Sequence, residues 1–240
     1  MLEGKNYSRG MVIVAHADDA EFGCSGTVAK YCRLGWDFVY VLCTDGSKGT
    51  ADRKLTSSEI KEIRRQEQID AGKILGLKDV RFLDYPDGML EPSMDLRKDI
   101  AREIRRAKPD VVICPYPMRA LDGIRGGIGH PDHMAAGEAT LSAVYPAARD
   151  HLTFPELLEE GYEPHKVSEV WVMGHPEPDI WIDVTDYMKI STNSLMAHSS
   201  QVSGRRTIEE WEQVMRDWRA RTAEDKDMEC AEAFRRITLG

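Results

Sequence analysis

The chain has 240 residues, 42% of them hydrophobic and 30% charged, so residues 1–240 can form one domain with a full core. Its net charge of −9 argues against general attraction to nucleic acid or anionic membranes, and no apolar run approaches the ~20 residues of a membrane span. Five scattered cysteines without a CxxC pair, and an amino terminus without an apolar signal region, predict a reduced, cytoplasmic protein that acts on a small molecule.

Short apolar runs alternate with helical patterns through the first half of the chain. The strand patterns cover residues 11–15, 38–43, 80–83 and 111–114, and the helical patterns cover residues 26–34, 57–75 and 96–107. Thr56 and Glu59 have the spacing of a capping box, and Gly76 stands where a helix end favours a left-handed residue. The alternation predicts an α/β fold with a largely parallel sheet and right-handed crossovers.

The second half begins with a long loop at residues 115–129, which contain two prolines and four glycines. Loops of this length inside a domain are usually functional. After it we expect a helix over 133–144, two strands at 170–173 and 181–184, and a C-terminal helical segment from about 188 to 240. Trp171, Trp181, Trp211 and Trp218 are expected to anchor the core or an interface rather than to stack on a sugar, and self-association is left open.

Polar side chains follow each predicted strand. His16, Asp18 and Asp19 come after the first strand, Asp87 after the third, and His130 after the fourth. Because ligands of open α/β sheets bind at the carboxyl ends of the strands, one cleft can collect all of these groups.

Two clusters, HADD at residues 16–19 and HPDH at residues 130–133, contain the ligands of a catalytic metal site. Such a site keeps three protein ligands and one open position for water, and His16, Asp19 and His133 can supply the three. Zinc is the expected ion, although two imidazoles and a carboxylate also bind ferrous iron. A bound metal lowers the pKa of water and polarises a carbonyl, so both halves of amide hydrolysis are assisted.

Three residues of the clusters remain for other roles. Asp18 can accept a proton from the attacking water, and protonated His130 can stabilise the oxyanion and protonate the leaving amine. Asp132 can orient an imidazole and keep it basic. Each cluster alone has an ordinary explanation, since adjacent aspartates cap helices and Pro-Asp is a common helix start. Their joint position after strands of one sheet favours a functional site.

The two clusters resemble the motifs of the PIG-L/LmbE-like family of metal-dependent deacetylases. The first motif is Ala15-His16-Ala17-Asp18-Asp19-Ala20-Glu21 and the second is His130-Pro131-Asp132-His133. Similarity extends to Thr44-Asp45-Gly46, Arg64, Glu67, Asp87-Gly88 and the segment His198-Ser199-Ser200-Gln201. Ala17 replaces the usual proline, and the inserted Ala20 leaves the role of Glu21 open. Some relatives have a tyrosine shortly before the second motif, a place that Tyr116 could fill here. His198 is expected at a helix surface.

The resemblance implies a Rossmann-like three-layer α/β/α fold, a zinc ion, and hydrolysis of an acetyl group from an N-acetylglucosamine-type sugar or conjugate. It gives His16, Asp19 and His133 as ligands, Asp18 as base and His130 as acid, and it places Arg64 and Asp87 in contact with the sugar or its aglycone. Without the resemblance, Arg64 is equally well an exposed helix residue paired with an acid, and Asp87 an ordinary turn residue.

Three other functions compete with this prediction. A dinucleotide-binding oxidoreductase needs a GxGxxG loop, but here Gly23 and Gly26 follow two aspartates that would repel a pyrophosphate. A non-catalytic metal or sugar-binding module would not require Asp18 and His130. The third keeps the amide hydrolysis but acts on another N-acylated amine, such as a thiol conjugate or an antibiotic intermediate.

Overall fold

The protein is described by a computed structural model over residues 6–119, 128–204 and 206–240. Its centre is a seven-stranded sheet with the order β3-β2-β1-β4-β5-β7-β6. The strands are β1 (Arg9–Val14), β2 (Asp37–Thr44), β3 (Asp79–Tyr85), β4 (Val111–Pro115), β5 (Glu169–Met173), β6 (Ile180–Asp183) and β7 (Ala231–Thr238). Strands β1 to β5 pair in parallel, whereas β7 runs antiparallel between β5 and β6.

Helices cover both faces of this sheet. They are α1 (Asp19–Arg33), α2 (Ser57–Leu75), α3 (Met94–Ala107), α4 (Pro131–Ser142), α5 (Glu156–Glu159), α6 (Met188–Met196), α7 (Ser199–Val202) and α8 (Ile208–Thr222). Met11 and Ile13 of β1 pack in the core beneath α3 and α4, while Val12 and Val14 pack on the opposite face beneath α1. A strand with two buried faces reads as a continuous apolar run, and the predicted three-layer α/β/α fold is confirmed.

The strand order changes direction between β1 and β4. From β1 the chain moves outward to β2 and β3, and it then returns to place β4 and β5 on the other side of β1. The connections that leave β1 and β4 lead to α1 and α4 on opposite faces of the sheet, and the space between them is where ligands bind in this class of fold. Both sequence clusters follow these two strands.

The capping box of α2 is present, with Thr56 accepting from the N–H of Glu59, and Gly76 ends the helix at φ 84°. The expectation of a helical segment from 188 to 240 is wrong at its end, because residues 231–238 form β7 in the sheet. Strand periodicity was hidden there: Glu232 occupies a buried position, with Arg219 as its ion-pair partner. A charge at a core position breaks the alternation that predicts a strand.

Part of the predicted loop at 115–129 lies outside the described residues, namely 120–127. Among the described helices, none is both long and apolar enough to cross a membrane. The organisation of residues 1–240 as one domain stays a prediction.

Candidate metal and catalytic site

The first cluster lies on a sharp turn between β1 and α1. Asp18 has a left-handed backbone (φ 81°) at the N-cap of α1, and its carboxylate caps none of the described backbone N–H groups. Left-handed backbone is uncommon outside glycine, although Asp and Asn tolerate it better than other residues. The turn is closed by the N–H of His16, which donates to Oδ2 of Asp19 at 2.8 Å. The Asp18 carboxylate is thus free for another role.

Three predicted ligands come together on this turn and the first turn of α4. Oδ1 of Asp19 lies 3.0 Å from Nε2 of His133, and Nδ1 of His16 lies 3.3 Å from the same Nε2. Nδ1 of His16 and Oδ2 of Asp19 are 3.5 Å apart. Ligand atoms of a tetrahedral zinc site are separated by roughly 3.3 Å, given bonds of about 2.0–2.2 Å. The three side chains therefore suit one divalent ion.

The other nitrogen of His16 faces two further carboxylates. Nε2 lies 3.0 Å from Oδ2 of Asp132 and 3.2 Å from Oδ1 of Asp87. Asp132 is fully buried and also accepts from the N–H groups of Gly88 and Leu90, at 2.7 and 3.1 Å. A metal-binding histidine usually donates its second N–H to such a carboxylate, which leaves the first nitrogen's lone pair for the metal. Asp132 is thus placed to orient His16, from 116 residues away in the chain.

Two additional ligand sets are close enough to consider among the described residues. One is His16, Asp87 and Asp132, which surrounds Nε2 of His16, and the other is His16, His130 and His133. The first set would require His16 to give up the hydrogen bond to Asp132. In the second, the ring Nδ1 of His130 already accepts from the N–H of Asp132. The predicted set satisfies both hydrogen bonds.

Carboxylates surround the imidazole of His16 in this site. Burial alone would lower the pKa of His16, but hydrogen bonds to Asp132, Asp19 and Asp87 raise it to about 11. Burial would raise the pKa of Asp19, and the neighbouring His133 instead holds it well below its ordinary value. Protons on the imidazoles compensate the excess of carboxylates, and a divalent cation would supply that positive charge.

Asp18 is the carboxyl of this site whose pKa rises. Burial, and then the charge of Asp19, raise it to about 7, while Arg64 and His198 act in the opposite direction. A group that titrates near neutrality can take up and release a proton at physiological pH.

His130 is the N-cap of α4. Its Nδ1 accepts from the N–H of Asp132 at 3.2 Å, so the neutral ring has its proton on Nε2. Burial, and then the positive charges of His16 and His133, lower the pKa of His130. The ring centroid lies 4.7 Å from that of His16, and His130 lines the cleft described below.

Arg64 is buried, so the interpretation of an exposed helix residue is wrong. It donates to the carbonyl oxygen of Ala17 at 2.8 Å, beside the turn of Asp18. Nη1 of Arg64 lies 3.9 Å from Oδ2 of Asp87, which itself accepts from the backbone N–H of Lys48 at 2.9 Å. Arg64 and Asp87 thus border the site, and their contact with a substrate stays a prediction.

A buried polar chain behind Asp18 was missed by the sequence analysis. The N–H of Asp18 donates to Gln68 at 3.3 Å, and the amide of Gln68 donates to Glu21 at 3.0 Å. Glu21 lies 3.3 Å from His198, without hydrogen-bond geometry between them, and both side chains are fully buried rather than at a helix surface. A signal was present, because Arg64 and Gln68 are polar residues on the core-facing stripe of α2.

A cleft of about 860 Å³ opens beside these residues. Asp19, His130 and His133 form one end of its lining. Tyr116 lines the wall, its ring 4.8 Å from that of His175, and its hydroxyl donates to the sulfur of Met118 at 3.4 Å. Trp218 also lines the cleft and is 42% exposed, so of its two expected roles, core anchor or interface anchor, the first is wrong and the second stays a prediction.

Comparisons with known proteins show which family the chain resembles. Residues 11–144 match the PIG-L family, described as GlcNAc-PI de-N-acetylase. The chain is 32% identical over 191 residues to the diacetylchitobiose deacetylase of Thermococcus kodakarensis, which covers 80% of this chain and 69% of that protein. It is 30% identical to a probable N-acetyl-alpha-D-glucosaminyl L-malate deacetylase 2 of Bacillus subtilis, over 87% of this chain and 92% of that protein. Among solved structures, N,N'-diacetylchitobiose deacetylase from Pyrococcus horikoshii superposes with a TM-score of 0.87 at 28% identity, covering 97% of this chain and 85% of that one.

Proposed function

The chain belongs to the PIG-L (GlcNAc-PI de-N-acetylase) family, and from this membership we propose that it hydrolyses the acetamide of an N-acetylglucosamine-type sugar to acetate and a free amine. The observation that carries the proposal is the meeting of Asp19, His133 and His16 within 3.5 Å, beside the carboxylate of Asp18, which caps none of the described backbone N–H groups. Both curated relatives named above are deacetylases of such sugars, which favours this function over a non-catalytic module or another N-acylated amine.

His16 through Nδ1, Asp19 and His133 through Nε2 are the proposed ligands of a zinc ion, with ferrous iron as the alternative. When bound, such an ion lowers the pKa of a water molecule and polarises the acetyl carbonyl. The support is the donor set, two imidazoles and a carboxylate at tetrahedral separations, together with the carboxylate of Asp132 that orients His16.

Asp18 is the proposed general base. Its pKa is about 7 in the metal-free protein, and its ionised carboxylate can remove a proton from the attacking water and later deliver the same proton to the leaving nitrogen. The same residue thus carries the proton in both steps. The water oxygen bonds to the acetyl carbon and loses a proton to Asp18, and the C–N bond then breaks as the amine gains that proton. Arg64, 4.0 Å from Oδ1 of Asp18, holds the neighbouring backbone and limits how far the pKa of this carboxyl rises.

His130 is the proposed hydrogen-bond donor to the oxyanion. From the sequence, protonated His130 is predicted both to stabilise the oxyanion and to protonate the leaving amine. The lowered pKa favours a neutral ring, which donates from Nε2 while Nδ1 accepts from the helix. A neutral donor suffices for the oxyanion, and the proton for the amine then comes from Asp18.

Substrate contacts of Arg64 and Asp87 remain part of the proposal, supported by their place beside His16 and Asp18. The two terminal nitrogens of Arg64, Nη2 and Nη1, already donate to the backbone carbonyl oxygens of Ala17 and Lys48, so its larger effect is expected on the turn itself. A cytoplasmic location, the absence of nucleic acid as a partner, and the oligomeric state stay predictions.

The experiment is acetate release from N-acetylglucosamine and N,N'-diacetylchitobiose, measured with and without a chelator. We expect activity that is lost on chelation and recovered with zinc or ferrous iron, and that is reduced by Asp18→Asn but not by Asp227→Asn, a change at an exposed position. Acetate release that persists after complete metal removal, or in the Asp18 variant at the full rate, would contradict the mechanism. If the enzyme releases no acetate from either sugar, the proposed substrate class is contradicted.

A further inference from the structure

The cleft extends well beyond the proposed metal ligands. Its volume of about 860 Å³ is near the upper end of the range of about 300–1,000 Å³ for small-molecule sites. The cleft is also lined by one face of α8, on which Trp218, Arg221 and Thr222 follow the i, i+3, i+4 spacing of a helix surface. Helix α8 packs on β7, which lies two strands away from β4 in the sheet, whereas His130 and His133 follow β4, so this part of the lining lies away from the metal ligands. A single amino sugar at the metal end would leave this part open.

Trp218 differs from the other tryptophan of the same helix. Trp211 is 7% exposed and packs with Met215 and Leu195 in a small core, whereas Trp218 is 42% exposed and lines the cleft. Because it is exposed on the wall of the cleft, the ring of Trp218 offers a flat apolar face to a ligand.

The ring of Trp218 is held from one side. The guanidinium carbon of Arg219 lies 4.5 Å from the ring centroid. Arg219 is itself buried, and it donates to Glu232 at 3.0 Å and to the carbonyl oxygen of Phe22 at 2.6 Å. A ring held by such a fixed cation loses little further freedom when a ligand stacks on it.

Resting on the function proposed above, we propose that Trp218 is the stacking platform for a second sugar ring, bound next to the N-acetylated sugar at the metal end of the cleft. A pyranose ring presents C–H bonds on its faces, which pack on an aromatic ring, and hydroxyl groups at its edge. Arg221 and Thr222, on the same face of α8, offer hydrogen-bonding groups for that edge. The hydroxyl of Thr222 donates to the carbonyl oxygen of Trp218 at 3.2 Å and keeps its oxygen as an acceptor for a sugar hydroxyl. A purely apolar occupant, such as a long acyl chain, would make no hydrogen bond with either residue.

The test compares one sugar with two. We would measure kcat and KM for N-acetylglucosamine and for N,N'-diacetylchitobiose with the wild-type holoenzyme and with Trp218→Ala, Trp218→Phe and Trp181→Ala. Trp181 is the control, because its ring is covered by Lys226 at 3.9 Å and it lies outside the described lining of the cleft. We expect Trp218→Ala to lower kcat/KM for the disaccharide relative to the monosaccharide by roughly tenfold, mainly through KM. Trp218→Phe should keep most of the wild-type ratio of kcat/KM for the disaccharide to kcat/KM for the monosaccharide, and Trp181→Ala should leave this ratio unchanged.

Equal losses for both sugars in Trp218→Ala, or no loss for either, would overturn the platform. So would a selective loss with N-hexanoylglucosamine, which would assign Trp218 to the acyl chain. If the wild-type enzyme releases acetate from neither sugar, the proposed function fails. Calorimetric binding of the same two sugars to Asp18→Asn, with and without Trp218→Ala, then decides the platform by itself: tighter disaccharide binding that depends on Trp218 supports it, and its absence refutes it.

Discussion

Replacing Asp18 with asparagine separates the proposed role of this side chain as a base from its place in the turn. Asparagine has nearly the same shape and tolerates the left-handed backbone at φ 81°, so the turn should persist. It cannot accept the proton of the attacking water. Loss of a general base typically lowers the rate by about 10²–10⁴-fold, and we expect kcat for acetate release to fall within that range.

The same variant should be more stable than the wild type when the metal is absent. The pKa of Asp18 rises from 3.8 to about 7 on folding, so between these pH values the folded state holds a proton that the unfolded state has released. Stability therefore falls as pH rises through this window, and above pH 7 the ionised carboxylate costs at most about 4 kcal/mol. Since 17% of the side chain stays exposed, solvent screening reduces the cost to on the order of 1–2 kcal/mol.

Calorimetric unfolding of the chelated protein at pH 8 and pH 5 measures this effect. For a chain of this size, 1–2 kcal/mol corresponds to a rise in Tm of roughly 2–8 °C at pH 8, and the rise should shrink at pH 5. Asp227→Asn, at an exposed position, should change neither Tm nor kcat. An Asp18→Asn protein that is less stable than the wild type at pH 8, or that keeps its full rate, would refute the reasoning.

Three further predictions follow from the same contacts. The value of kcat/KM should fall as the pH drops below about 7, because protonated Asp18 cannot act as a base. A bound cation can only shift this fall in kcat/KM to lower pH. A rate that rises towards acid pH would argue against Asp18 as the base. His130→Asn, which keeps an N-cap side chain but loses the Nε2–H donor, should lower kcat by about 10²–10³-fold at unchanged metal content; metal lost on dialysis would make His130 a ligand instead. Glu232→Gln leaves buried Arg219 without its charge partner and should lower the free energy of unfolding by about 3 kcal/mol, or Tm by roughly 6–12 °C, and a calorimetric change below about 1 kcal/mol would contradict that role.

Much of the layout follows from local pattern. The apolar run of β1 is buried on both faces, and α2 begins and ends where its capping box and Gly76 predict. The two halves of the site are also local, since His16 and Asp19 share one turn and His130 and His133 share the first turn of a helix. Such features depend on residues within a few positions of each other, where chain geometry leaves little freedom.

Other features depend on partners far away in the chain. Asp132 orients His16 across 116 residues, and Gln68 joins the backbone of Asp18 to Glu21 across 50 and 47 residues. Glu232 is buried in β7, where helix was expected, and its partner Arg219 lies on α8.

The sequence by itself determined most of the elements, the two clusters and the types of ligand, because the hydrophobic pattern of a helix or strand and the spacing of ligands on one turn extend over only a few residues. The tertiary structure decided the pKa values, the neutral ring of His130, the burial of Arg64 and the exposure of Trp218. Burial and electrostatic interactions depend on which distant segments pack together, and the spacing of side chains along the chain does not predict those contacts.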